Sequence, residues 1–129
     1  MKPFFILLFS VCFYVLSVQA ASMADLSGQW KAETMNITSA KRKVTEADHQ
    51  RAVFRDLFIY RGQLDILADG KIQYGGGAGT PATYTIDGNR LTVSGQGQTL
   101  SFRFQLRENQ LTLTLLLPDG TQETYTFTR

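Results

Sequence analysis

At 129 residues, 43% of them hydrophobic, the chain is sized for one domain with a core of its own. Thirteen basic residues against 11 acidic ones give a formal net charge of +2, which leaves no electrostatic case for binding nucleic acid or an anionic membrane. One cysteine cannot form an intramolecular disulfide or a cysteine-built metal site, so burial must hold the fold together.

The N-terminus carries Lys2, an apolar run from Phe4 to Leu16, and then Ser17-Val18-Gln19-Ala20, with small residues where a signal peptidase reads. This predicts an export signal over residues 1–20, cleaved after Ala20, and a periplasmic or secreted domain over residues 21–129. The apolar run falls short of the ~20 residues a membrane-spanning helix needs, so no stable membrane insertion is expected once the signal is removed. Cys12 follows Val11, which is not a small residue, and the apolar run continues past it; both argue against lipid attachment.

Residues 21–25 read as a loose start. From Leu26 to Glu33 the chain alternates, with Leu26, Gly28, Trp30 and Ala32 on one side and Gln29, Lys31 and Glu33 on the other, predicting a first strand over 28–33 that buries Trp30. Residues 35–43 read as a polar loop. Thr45 stands ahead of Glu46 and Asp48 as an N-cap, and Val53, Phe54, Leu57, Phe58 and Tyr60 recur at spacings of three and four, which predicts one amphipathic helix over 45–60. Gly62 ends it.

Residues 63–68 and 71–74 form a hairpin about Asp69-Gly70, a dipeptide that accepts positive φ at low cost. The glycine-rich residues 75–81 lack the following helix and the Lys-Ser or Lys-Thr pair of a phosphate-binding loop and are expected to form a rim or mobile loop. Strands follow at 82–86, 90–95, 98–106, 110–117 and 121–128, divided by Asp87-Gly88-Asn89, Gln96-Gly97, Glu108-Asn109 and Pro118-Asp119-Gly120. With connections this short, the eight strands must be antiparallel neighbours, and closing them into a barrel removes two unpaired edges and a bare apolar face. The expected class is therefore all-β, an eight-stranded up-and-down barrel, with the helix between the first two strands presenting Phe54, Leu57 and Phe58 to one open end. The inward phase comprises Trp30, Leu64, Ile66, Ile72, Tyr74, Tyr84, Ile86, Leu91, Val93, Leu100, Phe102, Phe104, Leu111, Leu113, Leu115, Tyr125 and Phe127.

Gly28-Gln29-Trp30 on the first strand and Arg129 ending the last in phase with Tyr125 and Phe127 resemble the lipocalins and the wider calycin group. Residues 83–92 and 109–113 are also similar to small bacterial lipocalin-like domains. The resemblance implies that Arg129 packs across the Trp30 indole and closes the barrel base, with Gly28, Trp30 and Arg129 as structural residues; a guanidinium on an indole gains a cation–π contact while its donors reach backbone carbonyls. The chain lacks the Thr-Asp-Tyr motif and cysteine pair of core lipocalins, and its helix position is closer to that of fatty-acid-binding proteins, so it resembles an outlying member.

Nothing assembles into a catalytic or metal-binding constellation. His49 is the only histidine and reads as a solvated helix residue, and Asp65, Asp69, Asp87 and Asp119 occupy strand-face or turn positions. The chain is expected to be no enzyme and to carry no cofactor. Phe54, Phe58, Tyr74, Tyr84, Phe102, Phe104 and Tyr125 are the candidate ligand-binding residues; these aromatics either line a cavity for a small hydrophobic or amphipathic ligand or fill the core themselves. Two functions stay open: an exported ligand carrier, or an interaction module such as an inhibitor of an exported hydrolase, whose protein partner the residues do not name.

Overall fold

The polypeptide is described here by a computed structural model covering residues 22–74 and 81–129. The segment read as an export signal, with Cys12, and residues 75–80 of the glycine-rich loop lie outside the described residues. Eight strands form one closed, all-antiparallel up-and-down barrel: β1 (Gly28–Ser39), β2 (Gln63–Ile66), β3 (Lys71–Tyr74), β4 (Ala82–Asp87), β5 (Arg90–Gly95), β6 (Gln98–Arg107), β7 (Gln110–Leu116) and β8 (Thr121–Thr128). Three short helices accompany them among the described residues: α1 (Met23–Leu26) before β1, and α2 (Glu46–Gln50) and α3 (Arg55–Ile59) between β1 and β2.

Strict alternation explains the ladders. β7 and β8 bury every second residue, β6 buries Phe102 and Phe104 with Leu100 and Leu106 half-buried in the same phase, and the registers place Phe104 opposite Leu113, and Leu113 opposite Tyr125, on the interior face. Tight turns need backbone that few side chains accept: Gln96 and Gly97 both have positive φ, at 52° and 77°, the pattern of a type I′ hairpin whose twist matches its strands.

The seam is made by β1, which pairs with both neighbours. Gly28–Lys31 run against β2, and from Lys31 to Ser39 the strand runs against β8. Sequence alternation predicts that the strand stops at 33 and a polar loop occupies 35–43. The strand instead continues to Ser39, because a bulge between Ala32 and Thr34 adds one residue and reverses the phase. Trp30 and Ala32 point inward before it, and Met35 and Ile37 take the positions opposite Tyr125 and Glu123 after it. An alternation read straight through the bulge loses its inward set at that residue.

The predicted loose start is a capped turn. Ser22 Oγ accepts from the Asp25 N–H while the Asp25 carboxylate accepts from the Ser22 N–H, a reciprocal capping box that opens α1. This turn carries Leu26, fully buried, and presents its carbonyl to Trp30 Nε1 at 2.8 Å. The single helix predicted over 45–60 is interrupted, with α2 ending at Gln50 and α3 beginning at Arg55. The cause is competition for backbone donors: the Val53 N–H donates to Glu123 Oε1 at 3.1 Å and the Phe54 N–H to the Tyr125 hydroxyl at 3.4 Å, so the chain dips into the barrel where a continuous helix would turn past it.

Candidate functional site at the barrel mouth

The two ends of the barrel differ. At the base, Trp30 is fully buried, the Arg129 guanidinium lies 4.4 Å from its ring centroid, and Arg129 Nη1 donates to the carbonyls of Asp25 and Ser27 at 3.0 Å each. Gly28 sits beside this stack at φ +145°, backbone that a side chain rarely adopts, which accounts for glycine two residues ahead of the tryptophan. The three residues expected to be structural thus meet and seal one end.

The opposite end is built by the far ends of β3 to β6 and roofed by the α2–α3 connection. Phe54 hangs from that roof into the lumen. Its ring stacks on Phe102 at 5.6 Å and meets Tyr125, Phe127 and Tyr74 edge-on at 5.0, 6.1 and 6.3 Å. Beside it, a cavity of about 210 Å³ is walled by Leu64, Ile72, Val93, Leu100 and Phe102, with Tyr74, Gln96 and Gln98 at the lip.

The seven candidate ligand-binding residues separate into two groups. Phe54, Tyr74 and Phe102 converge on the cavity. Tyr74, placed by alternation among the inward residues, is half exposed because it stands at the lip, and burial of its ring together with the nearby Asp56 carboxylate raises its pKa. Phe58, Tyr84, Phe104 and Tyr125 pack elsewhere. Phe58 lies against Tyr125 and Phe127, at 5.2 and 5.1 Å. The buried Tyr84 donates to the Leu67 carbonyl at 2.6 Å, tying β4 to the β2–β3 turn, and Phe104 is buried opposite Leu113.

Two polar clusters hold the roof, and neither stood out as a site in the sequence. The first is buried. The Glu123 carboxylate accepts from the Tyr125 hydroxyl and from the Val53 N–H, fixing the residue beside Phe54. Burial first, and the neighbouring Glu123 carboxylate second, push the Tyr125 hydroxyl well above its ordinary pKa, so it remains a donor. A period-two reading of Thr121, Glu123, Tyr125 and Phe127 does place Glu123 on the inward phase, and an inward carboxylate is the available signal.

The second cluster clamps the roof to the β7–β8 turn. Asp48, buried at the start of α2, accepts from Arg42 at 2.8 and 2.6 Å, from Arg51, and from the Thr45 N–H at 2.8 Å. Arg42 also donates to Asp119 and to Thr121 Oγ1, each at 3.0 Å. The Arg42 hydrogen bonds and the Thr45 N–H hold the Asp48 carboxyl far below its usual range, and the Thr121 N–H and hydroxyl, with Arg42, bring Asp119 to about 2. These partners lie up to 79 residues apart, so no local pattern announces them. His49 is exposed on α2, with Nδ1 3.1 Å from the Thr45 carbonyl, and among the described residues no cluster of His, Cys, Asp and Glu has the geometry to hold a metal ion.

Neither protein-family models nor curated protein sequences give a match to this chain.

Proposed function

We propose that this chain is an exported, lipocalin-like binding protein that holds a small, largely apolar molecule at the barrel mouth beneath the Phe54 roof. The observation that carries the reading is the apolar cavity of about 210 Å³ at the one end of the barrel that the Trp30–Arg129 stack does not close. Concave, mostly apolar space with a few polar groups at its entrance is the usual form of a small-molecule site, and this one lies below the ~300 Å³ at which drug-sized ligands begin to fit. The cargo is accordingly compact. The Gly-X-Trp strand, the arginine over its indole and the eight-strand closure support the family reading, and the signal-like residues 1–20 support a periplasmic or secreted location.

Thermal melts against a panel of small apolar compounds test this. At least one compound should raise the Tm in a concentration-dependent way, as mass action requires of a ligand that binds only the folded state, and Val93→Phe, which fills the cavity, should abolish the shift. A flat response across the panel would refute the carrier reading.

The alternative, an interaction module such as an inhibitor of an exported hydrolase, is favoured by Ile59 and Tyr60, adjacent residues that are 53% and 80% exposed at the end of the roof. Capture of an exported hydrolase that is lost on Ile59→Ser and Tyr60→Ser would support it.

A further inference from the structure

Resting on the cavity reading above, we infer that the occupant is uncharged and ends in a hydrogen-bonding group such as a hydroxyl or amide, read at the lip by Gln98, Gln96 and Tyr74. The walls are mainly hydrocarbon and aromatic, from Leu64, Ile72, Val93, Leu100 and Phe102, and the polar side chains that join them, Gln73, Tyr74, Gln96 and Gln98, are all uncharged. Gln98 lies in phase with Leu100 and Phe102 along β6, and Tyr74 with Ile72 along β3, so both strands change from apolar to neutral polar side chains as they reach the opening. Gln96 belongs to the tight turn between β5 and β6. A primary amide offers two donors and an acceptor, and a phenol one of each, which suits a neutral head group.

Charge decides against an ionic one. A carboxylate or ammonium at this lip finds no counter-charge, since among the described residues lining the cavity there is no Lys, Arg, His, Asp or Glu, and any water it loses beside the apolar walls goes uncompensated. Residues 75–80, Gly-Gly-Gly-Ala-Gly-Thr, contain no ionisable side chain. Size sets the scale. At about 30 Å³ for each water-sized group, 210 Å³ accommodates roughly seven of them, the bulk of a six-carbon chain with its head.

The test uses four probes with one six-carbon chain, 1-hexanol, hexanamide, hexanoate and hexylamine, and cyclohexane as a headless control, followed by NMR titration of the full domain at pH 7. The neutral pair should bind at least tenfold more tightly than the charged pair. Gln98→Leu, at an exposed position, should weaken hexanamide by about tenfold and leave cyclohexane unchanged. Hexanoate or hexylamine binding as tightly as hexanamide, or hexanamide indifferent to Gln98→Leu, overturns this inference while cyclohexane binding preserves the cavity reading. Failure of every probe, cyclohexane included, overturns both.

Discussion

Replacing Phe54 by alanine tests whether the α2–α3 connection is a lid resting on the barrel or part of its core. The ring is 6% exposed and touches four other aromatic rings, belonging to three strands. Removing it forfeits the transfer free energy of the ring and leaves space that those neighbours cannot fully reclaim, for an expected cost of about 3–5 kcal/mol. For a domain near 100 residues, each kcal/mol lowers Tm by about 4–8 °C, so the melt should fall by at least ~12 °C. Urea unfolding followed by tryptophan fluorescence supplies the free energy, since Trp30 is the only tryptophan and is buried at the base. The variant should also gain stability from benzene, because an enlarged apolar cavity takes up such a ligand and binding to the folded state raises its stability. A loss below about 1 kcal/mol with an unchanged m-value would mean that Phe54 does not occupy the lumen.

Arg129→Ala should cost about 1–2 kcal/mol in urea unfolding, and Arg129→Lys should recover only part of it, because lysine lacks the planar fork that stacks on Trp30 while reaching carbonyls of Asp25 and Ser27; full recovery by lysine would show that charge alone matters. Glu123→Gln retains an acceptor for the Val53 N–H and should be mild, whereas Glu123→Leu strands that N–H and the Tyr125 hydroxyl at about 1–3 kcal/mol each, a difference readable in the same assay. Asp48 and Asp119 both have pKa values depressed on folding, so their stabilisation is complete above the unfolded value of 3.8 and is lost as pH falls through it towards the folded value, about 2 for Asp119. The Tm should therefore decline from about pH 5 to pH 2, with a shallower decline in Asp48→Asn; equal slopes would remove the clamp from the explanation.

The strands from Ala82 onward were legible because every inward residue except Leu115, which precedes the exposed Leu116, is followed by a polar one, and because Gly88, Gly97 and Gly120 mark their turns with positive φ. The base was legible from three residues whose chemistry is complementary. The roof was not. Spacings of three and four in Val53, Phe54, Leu57 and Phe58 fit a continuous helix, and only the distant acceptors on β8 divert the backbone between α2 and α3. The second half of β1 was hidden by one extra residue that inverted the pattern. Aromatic residues sharing the inward phase are alike in sequence, yet depth along the barrel decides that Phe102 borders space while Phe104, two residues further on, is packed shut.

Because β1 is zipped to β2 over its first residues and to β8 over the rest, the sheet has no complete neighbour set until the final strand arrives. Ser27 and Arg129, 102 positions apart in the chain, are joined, a long loop to close before its contacts repay the lost entropy. During synthesis the first strand must wait with an unpaired edge for the last, so the incomplete sheet stays open to pairing with other chains until β8 arrives.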